Sequence, residues 1–178
     1  MTTSSLDQLL QMPEGTPSAV VKEEVVVTQE PSLDNLVYYT IELGSCLMHL
    51  SLQACLLSLN IETPAFCSIH EFLKEQSECH HKDMYGLATT VRSMNYLMPM
   101  CQKGLLGATK GFKTTSTYDA KESLMQYYKN LEYVGYKAKD THDMAKAVGA
   151  PDLENQIAEV IHHMFTGSWK VKSSLRNA

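Results

Sequence analysis

The sequence predicts an all-α domain built as a four-helix bundle, and three observations carry that prediction. Four long segments place apolar residues at three- and four-residue steps, the spacing that puts them on one face of a helix. Start and stop signals fall between these segments: Thr63 and Pro64 before the second, Gly149 and Pro151 between the third and fourth. A glycine-bearing stretch from Pro99 to Thr115 separates the second from the third, which fits a bundle with one long crossover connection.

Taken in order, the first helix opens at Ser32 and draws a stripe through Leu33, Leu36, Leu43, Leu47, Leu50, Ala54 and Leu57, ending around Asn60. Met48, Leu52, Cys55, Leu56 and Leu59 widen that stripe to most of the circumference, so the helix must be covered on several sides, as in a bundle that also dimerises. His49, Ser51, Gln53 and Ser58 interrupt its apolar run, which reads as an internal helix and not a membrane span.

The second helix spans Phe66 to Leu97, with Phe66, Ile69, Leu73, Gln76, His80, Asp83, Leu87, Val91 and Met94 on one face. Both ends of that face are apolar, while Gln76, His80 and Asp83 form a polar middle whose groups need partners if buried. In the connection a short helix is expected over Gln102 to Thr109, and Ser116 with Asp119 forms a candidate capping box. The third helix carries Leu124, Tyr127, Leu131, Val134, Ala138, Thr141, Ala145 and Val148; the fourth carries Leu153, Ile157, Ile161, Met164, Ser168 and Val171.

Residues 1–35 differ from the rest. Six acids face the single base Lys22, which accounts for the whole formal charge of −5, and the remaining acids and bases cancel. This is an expected acidic, flexible extension, with Val25–Thr28 a candidate short strand or docking segment, ahead of a helical domain over 36–178. The 178 residues, 44% hydrophobic and 20% charged, are ordinary for one soluble domain. The start MTTSSLDQLL lacks the basic and apolar regions of a secretory signal, so the expected location is the cytoplasm. Cys46, Cys55, Cys67, Cys79 and Cys101 are odd in number and form no C-x-x-C pair, so they are expected to be free, buried and hydrophobe-like.

Two stretches resemble one family. Phe66-Cys-Ser-Ile-His70-Glu-Phe-Leu is similar to the start of the second helix in the Dps (DNA-starvation protein) branch of the ferritin-like superfamily, where the histidine is a ferroxidase ligand. Gly149 through Trp169 is similar to that family's last helix, in matching register. The resemblance implies a ferritin-like bundle, iron as substrate, a dimer through the first two helices and a hollow twelve-subunit shell, with Cys55, Leu59, Phe66 and His70 near the two-fold contact. Of the ferroxidase ligands it implies, only His70 is retained: the others fall on Ser58, Lys74, Tyr85 and Thr89. Acids lining an ion-entry pore are expected as Asp152 and Glu154, since the family's positions hold Ala150 and Asn155.

A second ligand inventory follows the pattern of other ferritin-like di-metal sites, with Glu42, Glu78 and His81, Glu132, and Glu159 and His162 distributed one set per helix. Helical geometry points these side chains away from the core stripes, so the expectation is a set of solvated groups. An acidic extension and a neutral core offer no electrostatic footprint for DNA. Two functions fit this sequence: a Dps-like shell protein with a degenerate ferroxidase site, or a non-catalytic structural protein on the same bundle that docks a partner through its acidic segment.

Overall fold

The structure, a computed structural model, describes residues 30–62, 66–107, 109 and 111–176. Among these, helices α1 (Leu33–Asn60), α2 (Phe66–Ser93), α3 (Gln102–Gly107), α4 (Ala120–Val148) and α5 (Pro151–Arg176) follow one another. The expected strand at 25–28 and the Thr63-Pro64 start signal lie outside the described residues.

Helix α1 begins where the sequence places it. Ser32 is the N-cap, its hydroxyl accepting from the Asn35 backbone N–H, which satisfies one of the orphan donors of the first turn. The bundle therefore opens ahead of the expected boundary at 36. Along α1 the stripe from Leu36 to Leu57 is buried, while Leu33 is exposed. Among the described helices α1 alone is long and apolar enough to cross a membrane, but most of that length is buried inside the bundle.

Helix α2 ends at Ser93, short of the expected Leu97. The terminator is Asn95, which takes the left-handed conformation at φ 67°. Next to it, the Tyr96 N–H closes back onto the Val91 carbonyl at 3.2 Å, the kind of bond that satisfies the last carbonyls of a helix. Asparagine tolerates that conformation better than other side-chain-bearing residues, so Asn95 stops the helix before Pro99 is reached.

The crossover then runs beside α1 in the same direction. Tyr96 Oη donates to Asp34 at 2.5 Å, Ser45 Oγ donates to the Leu105 carbonyl, His49 Nε2 donates to the Leu106 carbonyl at 2.9 Å, and Asn130 ties Lys113 to Gln53. The partners on α1 climb from Asp34 to Gln53 as the crossover proceeds, so α4 starts at the far end of the bundle and packs antiparallel to α1. Helix α3 stops at Gly107, shorter than expected. The capping reading is also corrected: Asp119 is itself the N-cap of α4, accepting from the Glu122 N–H at 2.7 Å, and Ser116 has no part in it.

At the other end of α4, Gly149 at φ 76° is the C-cap and the Ala150 N–H bonds the Ala145 carbonyl. Pro151 therefore begins α5 directly. Neighbouring helices in the ring are α1–α2, α2–α5, α5–α4 and α4–α1. The core is the expected set of stripes, with Val160 fully inside where Ile161 is half-buried. Trp169 is 66% exposed and packs no core. All five cysteines are free, as expected, but only Cys46 is buried; Cys55, Cys67 and Cys101 are exposed and Cys79 is half-buried.

Replacing Asp119 by alanine removes one cap bond. Chemical denaturation at fixed protein concentration should show a loss of about 1 kcal/mol, and an unchanged midpoint would mean that α4 starts elsewhere.

Candidate functional site

The polar middle of α2 holds one fully buried residue, His80, flanked by half-buried Gln76 and Asp83, and meets partners from two other helices. Gln76, His80 and Asp83 stand one turn apart on the inner face, with Cys79 beside them. His80 is fully buried, and its Nε2 lies 2.9 Å from Tyr127 Oη of α4, which is also fully buried. Helices α2 and α4 are diagonal in the ring, so this bond crosses the bundle axis.

On the α5 side, His163 Nδ1 donates to Asp83 Oδ2 at 2.8 Å, and Cys79 Sγ lies 3.9 Å from the same oxygen. Gln76 lies against Gly167, one turn beyond His163; a Cβ at Gly167 would stand 2.5 Å from Gln76 Oε1. Two of these buried polar atoms, His80 Nδ1 and Gln76 Oε1, have no hydrogen-bond partner within the protein.

Burial governs the charge states here. It pushes the His80 imidazole down to about 3, aided by nearby His163, so His80 is neutral. Desolvation, then the Asp83 carboxylate, pushes the Cys79 thiol up to about 11. Asp83 is raised by burial against the opposing hydrogen bond from His163. Tyr127 stays a phenol, its pKa lifted well above the usual tyrosine value by complete burial.

The residues singled out by the family resemblance lie elsewhere. His70 Nδ1 donates to the Ser58 carbonyl oxygen at 2.8 Å. A metal-ligating histidine is oriented by the same kind of bond. Its expected companions are not ligands. Ser58 Oγ is turned to the Cys55 carbonyl at 2.7 Å, Lys74 and Tyr85 are exposed, and Thr89 Oγ1 donates to the Tyr85 carbonyl at 2.8 Å. One imidazole beside hydroxyls and an ammonium supplies neither the carboxylates nor the charge that a pair of iron ions requires, so this donor set does not fit iron.

The second inventory is also dispersed. Glu42 is buried against Lys137 at 2.9 Å, an ammonium holding the place a cation would take. Burial works against the Lys137 ammonium, but the hydrogen bond and charge of Glu42 outweigh it and its pKa ends up raised. Glu132 Oε1 accepts from Tyr128 Oη at 2.6 Å and Ser168 Oγ at 3.5 Å. Glu78, His81, Glu159 and His162 are exposed, as their positions between the stripes require. Asp152 is exposed in the first turn of α5, and Glu154 lies 3.8 Å from His142 Nε2.

Sequence reasoning placed Gln76, His80 and Asp83 in the interior but missed Cys79 and His163 as their companions. Cys79 sits four residues before Asp83 and His163 four before Gly167, spacings that align them along their helices. Which helix each meets is a tertiary fact.

No family model and no curated protein sequence matches this chain. Solved structures do. Dps from Staphylococcus aureus superposes with a TM-score of 0.77 at 12% identity, covering 82% of this chain and 97% of that one. The Dps protein of Vibrio cholerae O1, described as one of a broad superfamily of ferritin-like diiron-carboxylate proteins, gives 0.73 at 15% identity over 80% and 89%. A dodecameric thioferritin of Bacteroides fragilis, a bacterioferritin-related protein, gives 0.77 at 9% identity over 82% and 87%. The fold is thus ferritin-like. Two of these three structures are Dps proteins, the family that the stretches around His70 and Gly149 resemble.

Two substitutions test the interior. Tyr127→Phe strips the buried His80 of its remaining bond and should cost about 1–3 kcal/mol in urea denaturation; a neutral result would mean that the interior rearranges around it. Lys137→Met leaves a buried carboxylate alone and should cost about 3 kcal/mol, most of it recovered in the Glu42→Leu/Lys137→Met double variant.

Proposed function

We propose that this chain is the subunit of a closed homo-oligomer of the Dps type, whose inter-subunit iron-oxidising site has lost its ligands and which serves as a non-oxidising shell or scaffold. The observation that carries the reading is the outer face of α1. Leu52, Cys55, Leu56 and Leu59 are exposed on one stripe, with Leu56 at 60% and Leu59 at 68%, on the side of α1 turned away from the core. A bundle helix needs one apolar stripe, and a second one calls for a second surface.

A copy of the same chain is the occupant in this reading, because a Dps-type dimer is made through the first two helices. The dodecameric state of the Bacteroides fragilis protein, which has the same fold, supports a larger closed assembly. The loss of ferroxidation rests on Ser58, Lys74, Tyr85 and Thr89 standing where the resemblance implies ligands. The acidic extension ahead of α1 then serves as a docking segment for a protein partner in the cytoplasm, and its charge disfavours duplex DNA.

Sedimentation velocity on the full chain should give a species of at least dimer size, broken to smaller species by Leu56→Asp. A stable monomer near 19.9 kDa would overturn the assembly. Ferrous iron added anaerobically and then exposed to oxidant should oxidise no faster than in buffer; catalysed oxidation with a soluble mineral core would restore the ferroxidase function.

A further inference from the structure

The strongest unassigned chemistry in the molecule is the group around Asp83. Among the described residues, Cys79, His80 and Asp83 are the one set of three ligand-type side chains that each offer a donor atom within 4.8 Å of the others. Outside that set, on α5, His163 places Nδ1 2.8 Å from Asp83 Oδ2, within a ring rotation of joining it. Independently, His80 is completely buried and keeps a ring nitrogen, Nδ1, with no partner. A neutral buried imidazole with a bare nitrogen beside a thiol and a carboxylate is an incomplete constellation, since such atoms are normally satisfied.

We propose that Cys79, His80, Asp83 and His163 bind a single zinc-class divalent cation between α2 and α5. One sulfur, two imidazole nitrogens and one carboxylate oxygen make a mixed set that suits tetrahedral zinc and excludes magnesium and calcium, which demand oxygen. Metal–ligand bonds of about 2.0–2.3 Å place tetrahedral donors about 3.3–3.8 Å apart. Cys79 and Asp83 stand 3.9 Å apart, already near that spacing, and the His163–Asp83 hydrogen bond at 2.8 Å opens by rotation of the partly exposed imidazole.

The chemistry balances without an oxidant. Binding expels one proton, from the Cys79 thiol to solvent, and the sulfur lone pair forms the metal bond. His163 moves its ring proton from Nδ1 to Nε2 through solvent and ligates through Nδ1. His80 ligates through Nδ1 while Nε2–H donates to Tyr127 Oη, so the phenol fixes the tautomer and orientation of the ligand. Exposed Glu159, one turn before His163, adds negative potential that raises the local cation concentration, with Lys82 opposing it. Gln76 Oε1 stays outside this set.

The site is separate from the iron positions considered above: it lies inside one subunit and uses no residue they use. Purified full-length protein, stripped with chelator and titrated with Co²⁺, should take up one equivalent per chain with a near-ultraviolet thiolate-to-cobalt absorption, and Zn²⁺ should displace it, following the affinity order of these ions. Cys79→Ser should abolish the thiolate band while the other four cysteines remain. Asp83→Asn and His163→Gln should keep the band and weaken Zn²⁺ affinity by at least about tenfold, with helix content checked by circular dichroism in each variant. A wild-type protein without the band, or a band that survives in Cys79→Ser, overturns the site. Neither result bears on assembly, which is read separately by sedimentation.

Discussion

The bond between His80 and Tyr127 is the constraint on which the interior depends. It joins α2 to α4 across the diagonal of the ring, where the helices are not neighbours, and both side chains are fully buried. A bundle of apolar stripes alone can slide or rotate at small cost, whereas a buried directional bond loses its energy over a fraction of an ångström. The polar groups beside it extend the same restraint. Asp83 reaches His163 and Thr90 Oγ1 donates to Gln156 Oε1 at 2.8 Å, fixing the register of α2 on α5, as Ser51 and Ser77 exchange hydroxyl-to-carbonyl bonds at 2.9 Å between α1 and α2.

Much of this fold was legible in the sequence because the stripes are long and their period is regular. Leu36 to Leu57 on α1 and Leu124 to Ala145 on α4 are buried as read, and the Gly149–Pro151 boundary is where the local chemistry requires it. The errors have local causes. Asn95 ended α2 early through its tolerance of positive φ, a preference that a periodic pattern does not register. Asp119 capped α4 alone because its carboxylate reaches the first-turn N–H without help from Ser116. The site was half legible: position on the inner face marked Gln76, His80 and Asp83, but nothing along the chain says that His163 comes to Asp83 or that Tyr127 crosses to His80.

The charge arrangement inside the bundle is resolved differently at its two interior carboxylates. A carboxylate at the interior of a bundle must be neutralised, by a metal ion, a proton or a base. Glu42 has its counter-charge in Lys137, covalently supplied and always present, so that part of the interior is stable without any ion. Asp83 has hydrogen bonds from His163 and from the Cys79 thiol but, among the described residues, no lysine or arginine ion pair, beside an imidazole nitrogen that nothing satisfies. Two interior carboxylates have thus reached different solutions, one closed and one open. The exposed leucines of α1 add a third kind of incompleteness, on the outer surface of the bundle.

The two-residue turn at Gly149 and Ala150 has a consequence for how the chain reaches this structure. Helices α4 and α5 are joined so tightly that they pair from residues close in sequence, and α1 with α2 forms a hairpin of the same kind. Contacts within each hairpin are local and close quickly. Those between hairpins, α1 with α4 and α2 with α5, span the whole crossover and carry nearly all the loop-closure entropy. The crossover residues that lie along α1, Leu105, Leu106 and Phe112, act as a zipper for that second stage: each contact with Ser45 or His49 shortens the loop that remains to be closed. Assembly of the two halves is therefore guided by a strap and not left to a single long-range encounter.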